Sequence, residues 1–164
     1  MSLDEINPIK RLSLAFVGLL AGDAVLLVCL LEEAARLRAR LVVEHAGGTF
    51  RLMPGALEHS VLYGIFSFWG WLLVGVPIAV FVPPAAIRRL SWPLTLFVGA
   101  ALGPVTLLLI FLLHGHGHVQ LLPDPFYTRI VWGFSVVVST VSFAVYASLL
   151  RWMRLFHRRA RPAA

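Results

Sequence analysis

The sequence predicts an all-α integral membrane protein, a bundle of four transmembrane helices. Four apolar runs are each about twenty residues long, and an α-helix rising about 1.5 Å per residue crosses the roughly 30 Å hydrocarbon core at that length. The composition agrees, because 59% of the 164 residues are hydrophobic and only 13% are charged, whereas about a quarter of residues are charged in soluble domains. A length of 164 residues leaves room for one compact bundle, so we expect a single membrane domain over 1–164.

Span one is predicted over 12–31, LSLAFVGLLAGDAVLLVCLL. Lys10 and Arg11 precede it as they would in a signal peptide. The run is longer than a usual signal-peptide core, however, and it ends in Glu32 and Glu33 rather than in a small-x-small cleavage site. We therefore expect an uncleaved membrane span.

The helix of span one is expected to continue beyond the membrane on the outer side. The segment EEAARLRARLVVEH consists largely of strong helix formers, and Glu32 stands four residues before Arg36. Gly47 and Gly48 are the expected end of this helix.

The remaining spans are bounded by prolines and charged residues. Pro77 lies inside span two and is expected to kink it, since proline cannot donate the helical hydrogen bond. The segment AAIRRL is expected to be a short link between antiparallel helices. The predicted ranges are 59–82 for span two, 91–113 for span three, 126–151 for span four and 152–164 for a basic tail.

The distribution of basic residues predicts the orientation. With the amino terminus in the cytoplasm, nine of the fourteen Lys and Arg residues lie on the cytoplasmic side and five on the outer side. The positive-inside rule then favours a bacterial inner-membrane protein with both termini in the cytoplasm, although the arginines just after span one argue against it. The membrane accounts for the basic pI of about 10.7 without a nucleic-acid partner. Contact with anionic lipids is expected for Arg151, Arg154, Arg158, Arg159 and Arg161.

Asp23 is the single acidic residue within a predicted span. An aspartate at mid-bilayer costs about 2.5–3.5 kcal/mol on insertion scales, so it should face the bundle interior and find a partner. Alignment of antiparallel spans places Trp71, Ser139 and Ser142 near its depth. We expect a protonated Asp23 to donate to Ser139 or Ser142; a proton or ion relay and a contact between subunits are the alternatives.

Two GxxxG motifs predict close helix packing. Gly18 and Gly22 stand in span one, and Gly99 and Gly103 in span three. Such spacing lets two helix backbones approach closely. We expect these glycines to pack spans one and three within the bundle, with a surface for a partner subunit as the alternative.

Histidines are concentrated on the predicted outer side. The segment HGHGH follows span three, and His59 opens span two at a similar depth. Imidazole is a common zinc and copper ligand, and two histidines on neighbouring helices can hold haem b. Interfacial or solvated side chains, or a quinone pocket, are the alternatives. The possible ligands are His59, His114, His116 and His118.

No catalytic motif accompanies these features. The sequence has one cysteine, Cys29, so no CxxC pair, and it has no HExxH, GxSxG or P-loop. We therefore expect a non-catalytic accessory or assembly subunit of a larger membrane complex, without a cofactor. The alternatives are a redox, metal- or haem-binding membrane protein that uses the outer histidines, and a small proton-coupled transporter component that uses Asp23.

Overall fold

The computed structural model describes the backbone of residues 7–44, 61, 63–114 and 125–159, and the side chains of 7–36, 61, 63–113 and 131–153. In this part of the chain every regular element is helical, and four helices are long and apolar enough to cross a membrane. The prediction of an all-α bundle with four spans is thereby confirmed, and the chain is a multi-pass membrane protein. The four apolar segments are Pro8–Arg36, Tyr63–Phe81, Trp92–Leu113 and Val131–Met153.

The helix of span one runs over Pro8–Glu44. It begins four residues before the predicted span because Asn7 caps it: the Asn7 Oδ1 accepts from the Ile9 backbone N–H at 3.0 Å, with Pro8 at the first helical position. Its 37 residues give a length of about 55 Å, well over the bilayer core, so the predicted extension beyond the membrane is present. The expected stop at Gly47 and Gly48 lies outside the described residues.

Span two contains a π-helical turn instead of a simple proline kink. The turn covers Trp71–Gly75, with the Val76 N–H donating to the Trp71 carbonyl, and an α-helical segment follows over Val76–Phe81. Pro77 is the second residue after this turn, and a proline ring clashes with the carbonyl four residues before it in a regular helix. The wider turn is where the helix relieves that clash.

The short link predicted after span two is itself helical. A short helix covers Pro84–Arg89, with Ile87 buried. The helix of span three covers Trp92–His114, close to its predicted bounds. The helix of span four covers Pro125–Arg159, so it continues eight residues past the predicted end, into the basic tail.

Span four is the centre of the bundle, and spans one and three both pack along it. The buried core lies at the end that holds Arg11 and the Pro84–Arg89 helix, which we call the Arg11 end. Span two is the least buried of the four. Only 11% of its apolar stretch is buried inside the bundle, compared with 22–28% for the other three spans. The core residues are Ala15, Ala79, Ile87, Phe143, Tyr146, Ala147 and Leu150.

Candidate functional site

Both glycine pairs pack within the bundle, and each pair lies against span four. A Cβ atom built on Gly18 would lie 2.5 Å from the Ser142 carbonyl oxygen, and one on Gly22 would lie 2.7 Å from the Val138 carbonyl oxygen. On the opposite side, a Cβ on Gly99 would lie 2.9 Å from the Thr140 Cα. Span four thus lies in a groove formed by two glycine-lined helices.

Asp23 bonds to a serine in span two. The Ser67 hydroxyl donates to Asp23 Oδ1 at 2.7 Å, and the same hydroxyl lies 3.0 Å from the Gly64 carbonyl oxygen. The expected partners make other contacts: Ser139 donates to the Gly99 carbonyl at 2.7 Å, and the buried Ser142 Oγ has no hydrogen-bond partner. The pairing of Asp23 with Ser139 or Ser142 is therefore replaced by a link between spans one and two.

Helix geometry accounts for this difference. Gly22 faces span four, and Asp23, the next residue, points about 100° away around the helix. Compared with an alignment of their midpoints, spans one and two are shifted along the helix axis by about one turn. Ser67 rather than Trp71 therefore stands opposite Asp23. Three contacts between spans one and two have this axial offset: Arg11 with Val82, Phe16 with Trp71, and Asp23 with Ser67.

An apolar cavity of about 550 Å³ lies between the four spans. One face of span four forms a long wall, from Val131 to Tyr146, and span two lines the cavity over the same length, from Tyr63 to Ile78. Ser67 lines the cavity from span two, but Asp23 does not. The volume is in the range of protein sites for small ligands, which are concave and mostly apolar. We take this cavity as the candidate functional site.

Several buried polar atoms on the cavity wall lack a hydrogen-bond partner. They are the Trp71 Nε1, the Ser142 Oγ and the Tyr146 hydroxyl. The Tyr146 hydroxyl lies near the Arg11 guanidinium but makes no well-directed hydrogen bond with it. Because an unpartnered polar atom in an apolar interior costs about 1–3 kcal/mol, three around one cavity indicate a site that can recognise a polar group.

Arg11 lies beside Tyr146 at the Arg11 end, next to the cavity wall but not part of its lining. Its side chain is 8% exposed, and its guanidinium donates to the carbonyls of Val80 (3.3 Å) and Val82, at the end of span two. A cation is favourable at a helix C-terminus, so Arg11 caps span two. The sequence analysis counted Arg11 only as a flanking charge; its burial could not be read from the sequence.

Arg151 is turned into the bundle, although it was expected to contact lipid. Its guanidinium donates to the Leu90 carbonyl at 2.7 Å and the Thr95 hydroxyl at 2.9 Å, and lies 4.8 Å from the centre of the Trp92 ring. Arg151 thus joins the ends of spans three and four. The side chains of Arg154, Arg158, Arg159 and Arg161 lie outside the described residues, so their predicted contact with anionic lipids stays a prediction.

The histidine site also stays a prediction. His59, His116 and His118 lie outside the described residues, and His114 is described only as the last residue of a helix. Among the described side chains, no three His, Cys, Asp or Glu residues come together.

Comparison with protein-family models, with curated proteins and with solved structures gives no match for this chain. The function is therefore inferred from the residues of the bundle itself. Ser67 and Tyr146 were not predicted as residues of the site, and Trp71 was predicted only to lie near the depth of Asp23. A signal for Ser67 was available in part, because it is a hydroxyl residue in the apolar span next along the chain from Asp23.

Proposed function

We propose that this protein is a non-catalytic accessory subunit of a larger membrane complex, and that it contacts its partner through span two. The observation that supports the proposal is the low burial of this span, since only 11% of its apolar stretch is buried inside the bundle. One helical face carries Ile65, Phe68, Trp69 and Leu72, which are 37–53% exposed. We call these four residues the span-two stripe.

The composition of the stripe supports a protein partner more than lipid. Trp69 lies near the middle of the apolar segment and is 47% exposed, whereas tryptophan in membrane proteins concentrates at the headgroup level. Aromatic side chains are enriched at the centres of protein interfaces, where they contribute much of the binding energy. The glycine motifs are used within the bundle, so the stripe is the better candidate for the partner surface.

Replacing Ile65 and Trp69 together with alanine is expected to release the protein from its complex. The change removes one aromatic and one aliphatic side chain from the centre of the stripe, and we expect at least a tenfold loss of co-purifying protein. The measurement is native electrophoresis and quantitative mass spectrometry of membranes solubilised in a mild detergent.

The matched control replaces Leu96 and Phe97 with alanine. These residues are 45% and 70% exposed on span three, so the double variant removes a similar pair of lipid-accessible side chains. It should retain the complex. The proposal is wrong if the unaltered chain runs alone in its micelle, or if both double variants lose the partner equally.

A second candidate function, a proton-coupled transporter component, is supported by the bond between Asp23 and Ser67. Ser67 lines the cavity, so a proton on Asp23 is one hydrogen bond away from it. If Asp23 is the proton site, Asp23→Asn should abolish pH-driven flux in proteoliposomes while leaving the fold intact. Unchanged flux in that variant rules this function out.

For the cellular location we propose a bacterial inner membrane with both termini in the cytoplasm. The support is the excess of basic residues on that side, nine against five. In this orientation the Arg11 end of the bundle faces the cytoplasm. The redox, haem- or metal-binding hypothesis remains tied to His59, His114, His116 and His118.

A further inference from the structure

The shape of the cavity suits one extended hydrocarbon chain. Its wall on span four runs from Val131 to Tyr146, fifteen residue steps or about 22 Å of helix. A volume of about 550 Å³ over that length gives a mean cross-section of about 25 Å². This is enough room for one extended hydrocarbon chain.

Arg11, beside the cavity-lining residue Tyr146, is a buried cation without an acidic partner in the described part of the chain. The acids described there are Asp23, Glu32 and Glu33. Asp23 lies twelve residues further along the same helix, about 18 Å away, and the two glutamates are further still. Because a buried charge is costly without a counter-charge, an anion at this end would be stabilised.

Two hydrogen-bond donors at the same end are available to such an anion. The Arg11 Nε and the Tyr146 hydroxyl are both buried and unpartnered, and the two side chains are close to each other. Ala15, one helical turn from Arg11, lines the cavity together with Tyr146. The apolar wall therefore ends at the residue that carries the neutral donor, and the positive charge lies next to that residue.

We propose that the cavity binds a single-chain lipid with an acidic head group, of the long-chain fatty-acid class. The hydrocarbon chain lies along span four, and the carboxylate accepts from the Arg11 Nε–H and the Tyr146 O–H. This inference is independent of docking through the span-two stripe, because the stripe faces outward and the cavity lies inside the bundle.

The probe is dibromostearic acid, whose bromine atoms quench tryptophan fluorescence at contact. The protein for this measurement keeps Trp71, which lines the cavity, and carries phenylalanine at the other four tryptophan positions. We expect saturable quenching of Trp71 in detergent. Native mass spectrometry of the unaltered chain should show one bound acid per chain. The methyl ester of the same acid, which has no charge, should bind at least tenfold more weakly.

Variants at the head-group end separate the anion from the chain. Arg11→Gln and Tyr146→Phe should each weaken binding of the acid, the first by at least tenfold, and should leave binding of the ester unchanged. Tyr146→Phe keeps the ring, so it tests the inference even if Arg11→Gln does not fold. Tyr63→Phe is the matched control: it removes a hydroxyl from the cavity wall far from Tyr146 and should change neither affinity.

Two results would overturn the proposal. Equal binding of acid and ester, unaffected by Arg11→Gln or Tyr146→Phe, would show that no acidic head group is recognised. Absence of both quenching and a bound acid would show that the cavity does not take a hydrocarbon chain.

Discussion

Replacing Gly103 with alanine is expected to lower the free energy of unfolding by about 1–3 kcal/mol, the usual cost of overpacking a tight core. A Cβ atom at this position would lie 2.5 Å from the Ser135 carbonyl carbon and 2.6 Å from the Ser139 Oγ. The first of these atoms belongs to the backbone of span four, which can move only if the helices separate. Gly18→Ala should act similarly through the Ser142 carbonyl. Because the two sites contact span four at different positions, their effects should add in the double variant.

The chain provides its own control for this prediction. Gly133→Ala and Gly64→Ala add the same methyl group where no atom lies within 4 Å. Alanine is favoured over glycine in helices by about 1 kcal/mol, so both variants should be neutral or slightly more stable. The measurement is unfolding by SDS in mixed micelles, followed by circular dichroism. If Gly103→Ala is as stable as Gly133→Ala, the close approach of spans three and four is wrong.

The second large effect concerns the bond between Asp23 and Ser67, and we expect it to be asymmetric. Ser67→Ala leaves the Asp23 carboxyl inside the membrane without its partner, which should cost about 1–3 kcal/mol. Asp23→Ala should cost less or even stabilise, since the Ser67 hydroxyl keeps the Gly64 carbonyl as an acceptor. Removing the acid also removes its unfavourable insertion energy, about 2.5–3.5 kcal/mol at mid-bilayer.

A double-mutant cycle in the same SDS assay measures this asymmetry. In a protein that already carries Asp23→Ala, the further change Ser67→Ala should have little effect, because no carboxyl remains to be left unpaired. Equal losses for the two single variants, combined additively in the double variant, would mean that the two side chains do not interact.

The partner of Asp23 shows how far sequence reasoning could go. That the acid faces the bundle interior followed from its insertion cost alone. Its direction around the helix was also accessible, because Gly22 and Asp23 are adjacent and cannot both face the same neighbour. The choice of Ser67 was not accessible, since it depends on the axial offset of spans one and two. The hydrogen bond from Arg11 to the end of span two requires the same axial offset of the two helices as the bond between Ser67 and Asp23.

The glycine motifs show a different limit. Gly18, Gly22, Gly99 and Gly103 could be identified as close-packing positions, because a missing side chain permits close approach wherever the neighbour is. The identity of the neighbour depends on how the helices are arranged around one another. Span three is apolar on all sides, so its hydrophobic pattern does not indicate which face turns inward.

The sequence by itself determined the all-α class, the number of spans and their approximate ends. These properties follow locally, because a segment in lipid must satisfy its own backbone hydrogen bonds and match the thickness of the bilayer. Only the tertiary structure decided that span four is central, that Arg11 is buried as a cap and that Tyr146 lies beside it at the end of a cavity. Those features arise from contacts between distant residues, whose rotation and offset are set by the packing of all four helices together.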